Sequence, residues 1–88
     1  MFVYLGRDNV VDARDVVAIL DARRLQRAPE GRALWARASA GRDGAETASA
    51  RALIITVRGT MLVSITPATV ARRVFERIRP RGSSKAES

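Results

Sequence analysis

Residues 51–65 read Arg-Ala-Leu-Ile-Ile-Thr-Val-Arg-Gly-Thr-Met-Leu-Val-Ser-Ile and carry the strongest structural signal in the chain. They contain two runs rich in β-branched and apolar residues, 51–57 and 61–65, separated only by residues 58–60. Because so short a connection joins neighbouring antiparallel strands, this stretch predicts a β-hairpin.

Toward the N-terminus, shorter apolar runs alternate with turn residues. Residues 2–5 predict a strand, residues 6–9 predict a turn in which Asn9 takes the left-handed backbone, and residues 10–11 open a second strand. The run Val-Val-Ala-Ile-Leu at 16–20 suits a buried strand or a short helix, since periodicity does not separate the two over so few residues. We favour the strand.

Two segments show the signals of helix starts. In the first, Pro29 suits the first helical position and Glu30 suits the positive end of the helix dipole. The small and apolar residues of this helix lie on one side: Gly31, Leu34, Trp35, Ala38. Gly41 and Gly44 are expected to end the helix. We interpret Trp35 as a core or subunit-interface residue, and residues 41–50 as a mobile loop.

The second helix begins at Thr66-Pro67, where the threonine hydroxyl can accept from free backbone N–H groups. One arc of this helix is apolar and predicts the side that packs: Val70, Ala71, Val74, Phe75, Ile78. Arg79-Pro80 ends the helix, because proline disfavours a helical residue before it.

These elements predict an α+β fold with a small antiparallel sheet of about four to five strands packed with two short helices. The domain is expected to span residues 1–79, and residues 80–88 to form a disordered polar tail. Two short helices barely cover such a sheet, so we expect the chain to self-associate.

The composition of the chain weighs against an enzyme. Its 88 residues include no cysteine and no histidine, so the usual zinc, haem and iron–sulfur ligands and the common nucleophile systems are absent. We expect no cofactor, no metal and no small-molecule substrate. No signal peptide or membrane-spanning run is recognisable, and the expected location is the cytoplasm without membrane association.

Charge points to a different class of partner. The net charge is +7, and residues 22–42 alone carry six arginines against Glu30. An excess of this kind favours polyanions, although a charged helix face is as often simply solvated. A secondary basic face is formed by arginines of the C-terminal helix: Arg72, Arg73, Arg77.

Four strings resemble the RemA/RemB family of bacterial extracellular matrix regulators. They are Leu-Gly-x-x-Asn-Val-Val at 5–11, Val-Val-Ala-Ile-Leu-Asp at 16–21, Arg-Ala-Leu-Ile-Ile-Thr at 51–56, and Leu-Val-Ser-Ile-Thr-Pro-Ala-Thr-Val-Ala-Arg-Arg at 62–73. The openings Met-Phe-Val-Tyr-Leu-Gly and Ala-Arg-Asp-Val-Val-Ala-Ile-Leu-Asp are more similar to the RemB branch. The resemblance implies a protomer that assembles into a ring and binds double-stranded DNA as a transcriptional regulator of biofilm matrix genes.

The resemblance also implies where DNA would bind, and this chain departs from it there. The family's DNA-contacting arginines fall on Asp15, Ala48 and Ser49 in this sequence. We therefore expect other arginines, at turns and strand starts, to contact phosphates: Arg7, Arg14, Arg51, Arg58. The alternative is a homo-oligomeric protein-interaction module that has lost the DNA-binding face and acts with a RemA-type paralogue.

Overall fold

The computed structural model describes residues 2–6 and 9–78, with the side chains of all of these except residues 77 and 78. The predicted tail 80–88 and the predicted domain end at residue 79 lie outside this range. The strands are β1 (Phe2–Tyr4), β2 (Val10–Asp12), β3 (Val16–Asp21), β4 (Ala52–Thr56) and β5 (Gly59–Val63). The helices are α1 (Ala22–Arg27), α2 (Pro29–Ser39), α3 (Gly44–Ser49) and α4 (Pro67–Ile78), with a 3-10 turn at Ala13–Asp15.

The strands form two antiparallel sheets. In the larger sheet β4 lies between β3 and β5, and Leu53 is paired with Leu20 and Leu62. The smaller sheet is the β1–β2 hairpin. The α+β class is confirmed, and the prediction of 16–20 as a strand is correct. The prediction of one sheet of four to five strands is wrong, because the 3-10 turn separates β2 from β3, so that β1 and β2 pair only with each other.

Both faces of the larger sheet are covered. Ala52 and Ile54 pack into a cluster with the β1–β2 hairpin and α4, and Leu53 packs on the other side against α1, α2 and the end of α3. These three side chains are fully buried, which explains why β4 is apolar without alternation. The expectation that two helices leave the sheet poorly covered is wrong, since four helices lie in the part of the chain described.

Helix α1 is an element that the sequence analysis did not assign. Its first turn is capped by Asp21, whose Oδ1 accepts from the backbone N–H groups of Arg23 at 3.0 Å and Arg24 at 3.3 Å. The helix ends at Arg27, and its C-cap residue Ala28 directly precedes Pro29, which opens α2 as predicted.

Helix α3 replaces the mobile loop predicted for residues 41–50. Asp43 caps it by accepting from the N–H of Ala45 at 3.3 Å. The hydroxyls of Thr47 and Ser49 each donate to the carbonyl of an earlier residue of the helix at 2.9 Å. Short polar side chains therefore make hydrogen bonds to backbone groups within this helix, although the composition of the segment is typical of a loop.

Helix α4 begins at Pro67 as predicted, and Thr66 Oγ1 accepts from the N–H of Thr69 at 3.3 Å. Val70 and Val74 are buried, but Phe75 is 60% exposed. The prediction that Phe75 packs with the apolar arc is wrong, because the buried cluster formed with the β1–β2 hairpin and β4 includes Val70 and Val74 of α4 but not Phe75. Within the described residues, no helix is long and apolar enough to cross a membrane.

The β4–β5 turn differs slightly from its predicted form. Thr56 pairs with Gly59, whose φ is 143°, so Val57 and Arg58 alone form the β4–β5 turn, and β5 begins two residues before the predicted start at 61. In the first hairpin, Gly6 has a positive φ of 94°, a backbone conformation that glycine adopts without strain. The antiparallel pairing of both hairpins is confirmed.

Candidate nucleic-acid interface

Two of the four predicted DNA-contacting arginines lie at one end of the larger sheet. The 3-10 turn and the β4–β5 turn meet there, since the N–H of Val57 donates to the carbonyl of Asp15 at 3.0 Å. Arg14 is exposed on the first turn and Arg58 on the second. We call the group Asp12, Arg14, Asp15 and Arg58 the corner.

The corner carries little net charge. Nε of Arg58 donates to Oδ2 of Asp15 at 3.0 Å. Oδ1 of Asp12 accepts from the backbone N–H of Arg14 at 3.0 Å, and this hydrogen bond holds the pKa of the Asp12 carboxyl below its ordinary value. Asp12 is therefore ionised at neutral pH, and two carboxylates balance two guanidinium groups. Arg14 is the corner cation whose guanidinium makes no hydrogen bond or ion pair in the described part of the chain.

The structure does not bring Arg51 to the corner. Arg51 lies at the opposite end of β4, where its N–H donates to the carbonyl of Val63 and its own carbonyl accepts from Ala22. At about 3.3 Å per residue of strand, Arg51 and Arg58 are roughly 20 Å apart. Arg7 lies outside the described residues. The positions implied by the family resemblance are also divided, since Asp15 is in the corner and Ala48 and Ser49 are exposed on α3.

Of the predicted secondary basic face on α4, the structure describes the side chains of Arg72 and Arg73. Nη1 of Arg73 donates to the carbonyl of Tyr4 at 3.1 Å, so this side chain holds α4 against β1. Arg72 is exposed. The side chain of Arg77 lies outside the described range.

Arg42 is a structural arginine. Its Nε donates to the carbonyl of Ala38 at 2.6 Å and its Nη2 to the carbonyl of Thr60 at 2.8 Å, which ties the end of α2 to β5. Its Nη1 also pairs with Glu46 at 3.4 Å.

Replacing Arg42 with alanine is therefore expected to lower the free energy of unfolding by about 2 kcal/mol, because charged donors are removed from two backbone carbonyls. Urea denaturation measures this change. Arg37→Ala is the matched control, since Arg37 is exposed and makes no side-chain hydrogen bond within the described residues. It should change stability by no more than about 0.5 kcal/mol. Equal losses in the two variants would show that the hydrogen bonds of Arg42 contribute nothing.

Helices α1 and α2, where the sequence predicts no site, hold the largest group of unpaired cations among the described residues. Five of their side chains are exposed: Arg23, Arg24, Arg27, Arg32, Arg37. In the described part of the chain none of these guanidinium groups has a hydrogen bond or ion pair. The sequence shows the charge excess of residues 22–42. It does not show that residues 22–27 form a helix, so the position of these arginines in the fold could not be predicted.

The acidic side chains around one surface cavity already have structural partners. This cavity of about 230 Å³ is lined by Asn9, Asp43 and Glu46 among others, and Asp43 caps α3 while Glu46 pairs with Arg42. Within the described residues no three acidic side chains are placed to hold a metal ion together. A scan of known protein families finds no match to this chain, and a search of curated proteins finds no significant relative.

Proposed function

We propose that this protein is a ring-forming, weakly sequence-specific DNA-binding regulator of the RemA/RemB kind, acting in the cytoplasm on extracellular matrix genes. It contacts the phosphates of double-stranded DNA through arginine side chains and catalyses no reaction. The observation that carries the proposal is an excess of arginine that the fold does not use.

Only three arginine side chains form hydrogen bonds or ion pairs in the described part of the chain, namely Arg42, Arg58 and Arg73. The others make no such interaction there: Arg14, Arg23, Arg24, Arg27, Arg32, Arg37, Arg51, Arg72. Unpaired like charges on a small domain repel one another and add nothing to its stability. A polyanion that replaces its counterions with these guanidinium groups gains affinity from the released ions.

Self-association is supported by an exposed apolar surface on the smaller sheet. Phe2, Tyr4 and Val10 are each at least half exposed, and Tyr4 pairs directly with Val10 across the hairpin. Large apolar side chains grouped in this way are typical of contact surfaces between subunits. A ring built on this hairpin repeats every arginine once per protomer, so weak phosphate contacts add up over the assembly.

The second candidate is the protein-interaction module that works with a RemA-type paralogue. Two observations favour it: the corner is neutral, and the hairpin carries exposed apolar residues. This alternative predicts an intact oligomer that fails to bind DNA at low salt. It also predicts a protein partner that is still captured from lysate after nuclease treatment.

Fluorescence anisotropy of a labelled duplex tests the proposed function. The wild-type oligomer is expected to bind, and alanine at Arg7, Arg14, Arg51 and Arg58 together is expected to weaken binding about tenfold. Asp15→Asn should have the opposite effect, because it removes a negative charge and frees Arg58, while a surface ion pair is worth at most about 1 kcal/mol of stability. If the alanine variant binds as well as the wild type, these arginines are not the DNA contacts. If the intact wild-type oligomer does not bind at low salt, the proposed function is wrong.

A further inference from the structure

The outward side of α1 and α2 is the most basic surface of the described chain. We call its five exposed arginines the arginine face: Arg23, Arg24, Arg27, Arg32, Arg37. Their only acidic neighbours on these two helices and the capping residue before them are Glu30 and Asp21. The arginine face therefore keeps a net positive charge, in contrast to the neutral corner.

Helical geometry places these arginines on the solvent side of both helices. At 100° per residue, the three arginines of α1 span an arc opposite buried Ala22. On α2, Arg32 and Arg37 lie on either side of the surface opposite buried Gly31 and Ala38. Ala22 and Ala38 pack into the same cluster on one side of the larger sheet, so both helices are fixed against the same support.

The two helices lie unusually close together. A Cβ atom placed on Gly31 would be 2.9 Å from both the carbonyl oxygen and Cδ2 of Leu25. Glycine therefore permits α2 to approach the backbone of α1. This close approach brings the backbones of α1 and α2 together at Leu25 and Gly31, so the exposed arginines belong to two helices that pack directly on each other.

The chemistry of the arginine face fits the phosphate backbone of a nucleic acid better than a membrane. Insertion into a bilayer requires exposed apolar side chains beside the charges. The large apolar residues of these helices, Leu25, Leu34 and Trp35, are half-buried and pack against the buried cluster, and none of them is among the exposed large apolar side chains. Each guanidinium group can donate two parallel hydrogen bonds to a phosphate.

We propose that the arginine face is the main DNA-binding surface of the protein and that it binds the phosphate backbone of the duplex. This assignment rests on the proposed function. The corner then makes a smaller contribution. Contacts limited to phosphates carry no sequence information, which accounts for weak sequence specificity.

A charge-matched pair of variants tests this assignment. The first replaces four residues of the arginine face, Arg23, Arg27, Arg32 and Arg37, with glutamine. The second replaces four exposed or half-exposed arginines elsewhere, Arg14, Arg51, Arg58 and Arg72, with glutamine. Both variants carry the same net charge, and glutamine retains the helix propensity of arginine. Circular dichroism and oligomer mass establish that each variant is folded.

In duplex-binding anisotropy at fixed salt, the arginine-face variant is expected to bind at least 100-fold more weakly than the wild type and the second variant about tenfold more weakly. The salt dependence should also fall more in the arginine-face variant, by about 0.9 in log–log slope for each phosphate that the protein no longer neutralises. Equal reductions in affinity would overturn the proposal, because only total charge would then matter. Retained binding by the arginine-face variant would overturn it while leaving the proposed function intact.

A wild-type oligomer that does not bind the duplex would contradict both this assignment and the proposed function, whether or not it binds phosphatidylserine vesicles.

Should the arginine-face variant fail to fold, modification of the wild-type protein with phenylglyoxal gives a second readout. Bound duplex should protect Arg23, Arg27, Arg32 and Arg37 more strongly than Arg72. Uniform protection, or protection of Arg72 alone, would overturn the proposal.

Discussion

Replacing Ile54 with alanine is expected to lower the free energy of unfolding by about 3–4 kcal/mol. Ile54 is fully buried in the central strand, paired with Ile19 on β3 and Met61 on β5. It packs into the cluster formed with the β1–β2 hairpin and α4. Truncation removes buried methyl groups and leaves a cavity that three separate elements would have to move to fill.

The effect should be large relative to the total stability of the domain, since small domains have only about 5–15 kcal/mol to lose. Urea denaturation followed by circular dichroism should show a lower midpoint at an unchanged slope. Val57→Ala is the matched control, because Val57 follows the same strand but is 70% exposed. Its expected change is within about 0.5 kcal/mol. Similar losses of stability at the two positions would contradict the packing described here.

Replacing Gly31 with valine is expected to cost about 2–3 kcal/mol, the range for overpacking a close contact. Glycine inside a helix is normally less stable than alanine by about 0.5–1 kcal/mol, so a substitution usually helps. At Gly31 the sign is reversed, because a Cβ would be 2.9 Å from the Leu25 carbonyl oxygen and 3.0 Å from its Cα. Backbone atoms cannot turn away as a flexible side chain can, so the two helices must move apart.

Thermal unfolding measures this change, with Gly44→Ala as the control. Gly44 is the first residue of α3, and a Cβ there meets nothing within 4 Å. Its replacement should leave stability unchanged or slightly higher. A stabilising Gly31→Ala would contradict the close approach of α1 and α2.

The parts of the fold that were predicted correctly depend on local signals. The β4–β5 hairpin was predicted from the short connection at residues 58–60 between two apolar runs, and the starts of α2 and α4 were predicted from Pro29 and Pro67. Helix α1 and helix α3 depend instead on Asp21 and Asp43 as caps in segments without an apolar repeat. These short helices are stable because they pack on β4 and β5, which no local pattern reveals.

The candidate site was harder to predict because its members meet through long-range pairing. Asp15 and Arg58 are distant in sequence, and only the register of β3 on β4 brings them together. The family resemblance implies an arginine where this chain has Asp15, but no local pattern in the sequence indicates that Asp15 pairs with Arg58. The charge excess of residues 22–42 was visible at once. The exposure of five of these arginines on two packed helices could not be predicted, because α1 depends on the Asp21 cap and carries no apolar repeat.

The most direct test of the proposed DNA binding through unpaired arginines is the salt dependence of duplex binding by the wild-type protein. Anisotropy of a labelled duplex is recorded across a salt series, and the mass of the complex is measured on the same sample. A steep log–log slope, about −0.9 for each phosphate contacted, is the expected result, with sub-micromolar binding at moderate salt. An intact oligomer that shows no binding at low salt, or binding that does not change with salt, would contradict it.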